Sequence, residues 1–379
     1  MTREIQALFL TRYGRKGASS RYRSLQYEAV LKEQGIHATY SPLFEDSYLD
    51  ARYGTGRGGV AEMGRGVLRR AWKLVGGGRY DVVVIEKELI PYFPAVFERL
   101  LAWAGVPYVI DYDDATFHAY DQNPRRLVKW LLGGKIAAAM RHARCVVAGN
   151  EYLADYARRA GARRVAILPT VVDLDRYPPA TRERQGVFTI GWIGSPFSSR
   201  YLELIGPALA AVCSEGRARI VLVGAPRSAL AAVPREVLPW SEATEVRDIQ
   251  AFDVGIMPVV DEPWAWGKCG LKLIQYMACG LPVVASPVGV NRQIVEPGVN
   301  GFLANTPEEW VNALTTLRDQ PTLAAEMGRA GRRKVEERYS LRVAGVQLAS
   351  ILKSAAGRDL QKEAPGPERP VLKRDEILS

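Results

Sequence analysis

The chain has 379 residues, of which 47% are hydrophobic and 24% charged, with a formal net charge of +10. This length allows two domains with separate cores, because single cores rarely grow beyond about 250–300 residues. The sequence contains no uninterrupted apolar run of about 18 residues, which argues against a membrane-spanning helix. Most of the positive excess lies in residues 1–170. A basic half predicts an anionic partner, such as a phosphate-bearing substrate, a membrane surface or nucleic acid, unless it is only a solvated Arg-rich surface.

The N-terminal stretch MTREIQALFLTRYG has a short apolar core and no small-residue cleavage site. It is therefore interpreted as a first strand rather than a signal peptide. The four cysteines are spread along the chain and predict neither a metal site nor a disulfide framework. This favours a reducing cytoplasm.

Strand-like segments alternate with helix-like ones, as is typical of parallel sheets covered by helices. In the first half the predicted strands are IQALFL, DVVVIE, YVIDY, CVVAG and RVAILP. In the second half they are FTIGWIG, RIVLVG, VGIMP, PVVAS and GFLA. The fold class is therefore α/β, with two doubly wound sheets that each place a ligand crevice at the carboxyl ends of their strands.

The predicted organisation is a first domain over residues 1–177 and a second over 187–338, joined by a linker over 178–186. The linker is rich in Pro and charged residues. An amphipathic helix is expected over 339–355. The charged, Pro-containing segment 356–379 is interpreted as a mobile tail.

The loop after the first strand, TRYGRKGASSRYRSLQY, is the first candidate binding element. Its glycines, including Gly17, permit a tight turn, and polar contacts are offered by Ser19, Ser20, Arg21 and Arg23. We predict that this loop belongs to a binding site.

The stretch GTGRGG at residues 54–59 fits a dinucleotide-binding pattern but does not follow a buried strand, and that context gives the pattern its meaning. We therefore assign it no nucleotide role. Residues 52–73 are interpreted as a mobile basic loop leading into a helix, which is either solvated or touches an anionic acceptor or lipid headgroups.

The segment IDYDDATFH ends a predicted strand with a cluster of titratable groups, Asp111, Asp113, Asp114 and His118. Such a cluster at the carboxyl end of a strand indicates a functional site, although a lone histidine is often structural. Residues 123–144 then predict a helix with basic and apolar residues. We favour a role in covering the sheet over contact with lipid headgroups.

The segment KCGLKLIQYMACGLPVVAS predicts a glycine turn, a helix and a buried strand. A glycine turn at residues 267–270 exposes backbone N–H groups at the start of a helix, where a phosphate binds well. Lys268 and Lys272 add mobile cations. Ordinary packing of a strand, helix and strand would explain the apolar residues but not this turn between two lysines.

GLKLIQYMACGLPVVAS resembles the donor-binding segment of retaining family 4 glycosyltransferases of the GT-B fold. The matching positions are Gly270, Leu271, Met277, Ala278, Gly280, Pro282, Val283 and Val284. The resemblance extends over nearly the whole chain. It implies two Rossmann-like domains facing a central cleft, with the last helix crossing back to the first domain.

Two glutamates of that family fall on Gly267 and Gln275 in this sequence. The resemblance implies that Gln275 binds ribose hydroxyls, and that Gln275→Glu is tolerated. The donor site is expected to contain Gly194, Ser195, Ser199, Trp240, Gly267, Gly270, Leu271, Lys272 and Gln275. The residues expected at the reaction centre are Asp113, Asp114, His118, Arg200 and Lys268.

The resemblance implies an enzyme that moves a sugar from a UDP- or GDP-linked donor to a saccharide or lipid-linked acceptor, with the acceptor bound by the loop that carries Gly17, Ser19, Ser20, Arg21 and Arg23. The cysteine usage favours a cytoplasmic location. Neither a metal nor a cofactor is expected. The enzyme is also expected to contact the inner face of an anionic membrane, whereas nucleic acid is not an expected partner. An epimerase, a phosphorylase and a non-catalytic sugar-nucleotide-binding partner are the alternatives, because the fold alone does not fix the reaction.

Overall fold

The computed structural model describes residues 4–54, 60–75, 80–180, 186–214 and 216–357. These residues form two six-stranded sheets in which all paired strands are parallel. The GTGRGG stretch lies largely outside the described residues, as do much of the predicted linker and nearly all of the predicted tail. The boundaries proposed for the domains therefore stay predictions.

The first sheet contains β1 (Ile5–Leu10), β2 (Ile36–Tyr40), β3 (Val82–Glu86), β4 (Tyr108–Tyr112), β5 (Cys145–Ala148) and β6 (Val165–Ile167). Its strand order is β2-β1-β3-β4-β5-β6. The accompanying helices are α1 (Ala18–Arg23), α2 (Glu28–Glu33), α3 (Asp46–Gly54), α4 (Val60–Val75), α5 (Val96–Trp103), α6 (His118–Asp121), α7 (Arg126–Leu132), α8 (Lys135–His142) and α9 (Glu151–Arg159).

The second sheet contains β7 (Phe188–Ile193), β8 (Ala218–Val223), β9 (Glu236–Leu238), β10 (Val254–Met257), β11 (Val283–Ala285) and β12 (Gly301–Leu303). Its strand order is β12-β11-β10-β7-β8-β9. The helices are α10 (Gly206–Cys213), α11 (Glu245–Gln250), α12 (Pro263–Trp266), α13 (Leu271–Ala278), α14 (Asn291–Ile294), α15 (Pro307–Asp319), α16 (Pro321–Arg338) and α17 (Leu341–Ala355).

The ten predicted strands are present, and two further strands, β2 and β9, were not predicted. Both lie at the edge of a sheet. β2 is only half-buried beyond its first residue, and β9 has just three residues, of which none is buried. Edge strands of this kind carry a weak hydrophobic pattern, which explains why the sequence does not reveal them.

The sequence predicts a mobile basic loop leading into a helix over residues 52–73. The helix is present as α4, but it begins at Val60 and α3 extends to Gly54, so helices occupy most of the segment, and residues 55–59 lie outside the described residues. Arg70 explains the order of α4: its guanidinium is buried and donates to the backbone carbonyls of Thr11, Glu88 and Leu89. Such a contact satisfies strand-end carbonyls that would otherwise lack partners.

The helix predicted over residues 123–144 is two helices, α7 and α8, separated by Gly133 and Gly134. They have different roles. α8 covers the sheet with Ile136, Ala139 and Met140, whereas α7 leaves most of its apolar side chains exposed.

The last helix, α17, crosses back to the first domain, as predicted. Its Leu348 and Leu352 belong to the same buried cluster as Leu31 of α2. Gly345 permits the close approach, since a Cβ there would lie 2.4 Å from Cγ1 of Val30. Within the described ranges, no helix combines the length and apolarity needed to cross a membrane.

Candidate functional site

A cleft of about 1260 Å³ lies between the two domains, at the carboxyl ends of the central strands of both sheets. We call its two sides the first-domain wall and the second-domain wall. Predicted site residues that line it are Gly17, Ser19, Arg21, Asp113, Asp114, Gly194, Ser195, Trp240, Lys268, Gly270, Leu271, Lys272 and Gln275. The structure thus brings together most of the residues that the sequence selected.

The two domains contact each other at the base of the cleft. Asn150, the residue before α9, donates from its side-chain amide to the carbonyl oxygens of Trp266 and Lys268, at 3.1 and 3.0 Å. Cys269 Sγ lies 3.2 Å from the carbonyl oxygen of Asp113. These contacts hold the turn before α13 against the strand ends of the first domain.

The second-domain wall is built around the start of α13. Gly270 precedes the helix with φ of +69°, a left-handed conformation in which a side chain is strained. The first N–H groups of an α-helix have no partner within the helix, so this end favours an anion. Gly194, which follows β7, lies beside it, since a Cβ there would be 2.7 Å from Cε of Lys272.

Lys272 is the most unusual charge of this wall. Among the described residues its Nζ makes no ion pair or hydrogen bond, and it lies 5.5 Å from the ring centre of Trp192. Burial, with the nearby charge of Lys268, lowers the pKa of Lys272 to about 7, although Asp114 acts in the opposite direction. Lys268 Nζ is 4.0 Å from Asp114, at the limit of an ion pair. Two cations are therefore weakly compensated at the start of one helix.

The first-domain wall carries charges that are already paired. Lys87 Nζ lies 2.9 Å from Asp113 and 3.1 Å from Asp114, and Ser19 donates to Asp113. Burial disfavours both charged forms, but the ion pair outweighs it, lowering the pKa of Asp113 and raising that of Lys87. Lys87 follows β3 with φ of +63°, an uncommon conformation for a residue with a side chain.

A buried polar network joins the two walls through Glu245 of α11. One carboxylate oxygen accepts from the hydroxyls of Tyr22 and Tyr177, each at 2.6 Å. The other accepts from Arg21 at 3.0 Å and from the Trp240 indole at 2.8 Å. Both oxygens are therefore satisfied.

Gln275 completes this network rather than projecting freely into the cleft. Its amide nitrogen donates to the hydroxyl oxygens of Tyr22 and Tyr177, at 3.0 and 2.8 Å. The two hydroxyls also lie 2.5 Å apart, so their two protons serve Glu245 and this mutual contact. The residue at 275 therefore acts as a donor, and a carboxylate cannot donate when ionised. The expectation that Gln275→Glu is tolerated is therefore reversed. That Gln275 binds a ribose stays a prediction, and the group that would accept from the ribose hydroxyls is the amide oxygen of Gln275.

Gly267 packs against the first domain and does not line the cleft. A Cβ there would lie 2.4 Å from the backbone nitrogen of Ala115. This explains why no side chain stands at the position where the resembling family has a glutamate.

The structure removes five further predicted residues from the cleft lining. His118 is structural, with its ring nitrogens 2.8 Å from Asp121 and 2.7 Å from the Tyr152 hydroxyl. Arg200 stacks on Phe197 and Tyr201 with a half-exposed side chain. The hydroxyl of Ser199 donates to the carbonyl oxygen of Pro196.

The other two lie inside the first domain, and so cannot bind an acceptor in this arrangement. The Ser20 hydroxyl donates to Glu86 at 2.6 Å. Arg23 is buried and makes a two-pronged ion pair with Asp111, and it also donates to the carbonyl oxygen of Leu168.

Sequence reasoning did not select Lys87, Glu245, Tyr22 or Tyr177, although all except Tyr177 line the cleft. One signal was available for Lys87, which directly follows a predicted strand, as the acid cluster does. Glu245 stands within a helical segment, and no local pattern distinguishes it.

Two family models match the chain on either side of the linker. Residues 19–172 match the glycosyl transferase 4-like domain, and residues 187–320 match the group 1 glycosyl transferases. A curated relative is D-inositol 3-phosphate glycosyltransferase of Geodermatophilus obscurus, which is 27% identical over 55% of this chain and 52% of its own length. The chain thus aligns with about half the length, or less, of the first curated relatives that it matches.

Solved structures share the fold at low identity. Sucrose-phosphate synthase from Thermosynechococcus elongatus is 16% identical with a TM-score of 0.69, covering 94% of this chain and all of the other. HepE from Anabaena in complex with UDP-glucose is 18% identical with a TM-score of 0.65, covering 93% of this chain and all of the other. With both sheets, the cleft and the crossing helix in place, the chain belongs to the group 1, family 4-like glycosyltransferases of the GT-B fold.

Proposed function

We propose that the chain transfers a sugar from a nucleoside diphosphate sugar, UDP- or GDP-linked, to a hydroxyl of a saccharide or lipid-linked acceptor. The observation that carries this proposal is Lys272, a partly buried, cleft-lining lysine without an ion pair or hydrogen bond among the described residues. Partial removal of an ammonium group from water without a carboxylate partner is unfavourable, and a diphosphate in the cleft would supply the missing negative charge. The group 1 glycosyltransferase family supports the same reaction class.

In this proposal the second-domain wall binds the donor diphosphate. Lys268 and Lys272 provide positive charge, and the N–H groups at Gly270 and the start of α13 provide hydrogen-bond donors. The same groups stabilise the charge that develops when the bond from the sugar to the phosphate breaks. Arg200, which does not line the cleft, has no part in this step.

We propose that transfer proceeds with retention by a front-face displacement. The acceptor oxygen bonds to the anomeric carbon as the bond to the diphosphate oxygen breaks, and that oxygen receives the acceptor proton. Asp113 and Asp114 are held by Lys87, so they orient the acceptor side of the cleft rather than attack the sugar. No protein nucleophile is then required.

The reaction is proposed to need no metal, because cations of the protein neutralise the acids and would neutralise the leaving group. Among the described residues no group of three or more His, Cys, Asp or Glu is arranged to hold a metal ion. Asp111 is committed to Arg23, and Asp113 and Asp114 to Lys87. Activity is expected to survive EDTA, and loss that Mg²⁺ restores would overturn this part.

The cellular setting proposed is the cytoplasm, in the synthesis of cell-surface polysaccharide or glycolipid. All four cysteines are free thiols, as expected in a reducing compartment. The relatives support a nucleotide-sugar donor, since the HepE structure holds UDP-glucose. An inositol phosphate is one acceptor chemistry to include, because the curated relative is named for it.

Calorimetry of the purified chain with UDP, GDP, ADP and TDP tests the donor site. One selective response would identify the base. The matching nucleotide sugar, incubated with candidate acceptors, should then yield product whose anomeric configuration reports retention. No binding of any diphosphate would overturn the proposal.

A non-catalytic sugar-nucleotide-binding role is the second candidate, and Gly267 is the observation that favours it. The resembling family places a glutamate there, whereas this chain has backbone packed against Ala115. Diphosphate binding without turnover of any sugar donor would support this role. Turnover by the isolated chain would exclude it.

A further inference from the structure

The outer side of one helical layer in the first domain is unusually apolar. Trp72 of α4, Trp103 of α5 and Trp130 of α7 are 81%, 87% and 79% exposed. Other exposed apolar side chains on these helices are Leu68, Val75, Val96, Phe97, Leu100, Leu127 and Leu131. Exposed apolar side chains gathered on one surface mark an interaction site.

These helices lie on the same face of the sheet. α4, α5 and α7 with α8 connect β2 to β3, β3 to β4, and β4 to β5, steps that run in one direction across the sheet. Right-handed crossovers place such connections on one face. Their inner side chains Leu74, Leu101 and Val128 pack on one core cluster, while α2 and α17 pack on another. We call the outer surface of α4, α5 and α7 the tryptophan face.

The tryptophan face is also basic. Its exposed cations are Arg65, Arg99, Arg126 and Lys129, and Arg125 directly precedes α7. These three helices contain two acidic residues among their described side chains, Glu62 and Glu98. Glu98 is buried and accepts from the backbone nitrogen of Leu89. The surface therefore offers apolar side chains among positive charges with little opposing charge.

We propose that the tryptophan face docks on the surface of an anionic lipid bilayer. Indole rings favour the boundary between headgroups and acyl chains, and the interspersed cations match anionic headgroups. A second copy of the chain fits less well, because two such faces would bring like charges together. The inference goes beyond the donor site and requires neither a nucleotide nor turnover.

The tryptophan face continues to the mouth of the cleft. Phe93 stacks on Phe97 of α5 with ring centres 5.4 Å apart, and the adjacent Tyr92 is exposed and lines the cleft. A docked first domain would therefore hold the cleft mouth beside the bilayer. Given the proposed function, this geometry selects an acceptor that is carried by a lipid.

Sedimentation of the full chain with vesicles tests the docking. Vesicles of phosphatidylcholine are compared with vesicles of equal parts phosphatidylcholine and phosphatidylglycerol. The chain should bind the second kind, and added salt should weaken the binding. Failure to bind anionic vesicles at low salt would overturn the inference.

Paired variants locate the surface. Trp72→Ala/Trp103→Ala/Trp130→Ala and, separately, Arg126→Gln/Lys129→Gln should each lower the partition coefficient about tenfold or more. The matched controls are Val343→Ala/Val346→Ala on α17 and Arg329→Gln/Arg333→Gln on α16, which change exposed residues of the same kinds elsewhere. The controls should change it less than about twofold. Equal losses in the controls and the test variants would overturn the assignment to this face.

Light scattering tests whether a second copy of the chain, rather than a lipid bilayer, covers the tryptophan face. If the wild-type chain forms a dimer that the triple tryptophan variant cannot form, the face belongs to a second copy and the inference fails. Nucleotide binding is measured on the same variants. Unchanged diphosphate affinity with lost vesicle binding would support the docking surface while leaving the proposed donor site intact.

Discussion

The two walls of the cleft hold their charges in opposite ways. On the first-domain wall each principal cation has a carboxylate partner, as Lys87 has in Asp113 and Asp114. On the second-domain wall Lys272 lacks such a partner among the described residues, and Lys268 barely reaches one. The first wall is thus electrostatically complete, whereas the second is prepared for an anion that is added on binding.

This difference shows how variants at one site can distinguish effects on folding stability from effects on ligand binding. Removing a charge from a completed pair leaves its partner uncompensated in the folded protein. Removing an uncompensated charge does not lower the stability of the fold, but it weakens ligand binding. Variants on the two walls should therefore fail in different assays.

The largest expected effect is on the first-domain wall. Lys87→Met leaves Asp113 and Asp114 without their cation and should lower the free energy of unfolding by about 3 kcal/mol. Urea unfolding followed by circular dichroism measures this. An unchanged unfolding midpoint would show that the first wall does not depend on its own ion pair.

The next effect concerns the network that joins the walls. Gln275→Glu places a second carboxylate against two hydroxyls already committed to Glu245, and should cost about 2 kcal/mol of stability. Since burial raises the pKa of the new carboxyl, the penalty should shrink as pH falls below that pKa towards about 4.3, where the unfolded state is also protonated.

The exchange variant Gln275→Glu/Glu245→Gln is the control for this network. It restores one carboxylate and one amide, so part of the lost stability should return. A single Gln275→Glu variant as stable as wild type at neutral pH would contradict the donor role of the Gln275 amide.

A smaller effect is expected from the second-domain wall. Lys272→Met should weaken diphosphate binding about tenfold, the loss of one charge-assisted contact of roughly 1.5 kcal/mol. The variant should be at least as stable as wild type at pH 7, because the lowered pKa means that folding disfavours the charged amine. Calorimetric titration measures the affinity. A strong loss of stability with unchanged affinity would reverse the roles assigned to the walls.

The same lysine predicts a pH dependence. Its folded pKa of about 7 lies below the unfolded value of 10.5, so the unfolded state binds more protons between them and stability should rise with pH over that window. Diphosphate needs the charged form, so affinity should fall as pH rises above about 7. Lys272→Met should abolish both trends, and their persistence would place the titrating group elsewhere.

The smallest effect is expected at Arg200. The sequence placed it at the reaction centre, but its side chain is half-exposed, stacks on Phe197 and Tyr201 and does not line the cleft. Arg200→Ala should therefore change diphosphate affinity by less than about 0.5 kcal/mol. A tenfold loss would mean that the loop carrying Arg200 folds over the donor when it binds.

The sequence predicted the parts of this molecule that short segments determine. Buried strands and α13 have strong hydrophobic periodicity, and Gly270 with its two lysines is a local pattern at a helix start. Edge strands such as β2 lack that signal because half of their surface faces solvent.

The contacts that the sequence did not predict join residues far apart in the chain. Tyr22 and Glu245 are separated by 223 positions, and Gln275 and Tyr22 by 253. No periodicity links such positions, because their pairing depends on how two complete domains meet. His118 shows that residues close in sequence need not act together. It follows the acids closely in the sequence, but the chain turns into α6 and directs the His118 ring to Tyr152.

The packing of α17 on the first domain has a consequence for the order in which the domains fold during synthesis. Leu348 and Leu352 fill a core whose other members begin at Ile5, so the first domain contains a helix that is synthesised after every described element of the second domain. Until α17 emerges, the surface of α2 that it covers stays open to solvent and to chaperones. The second domain, whose strands and helices are complete before α17 is made, can finish folding earlier, reversing the usual order of synthesis and maturation.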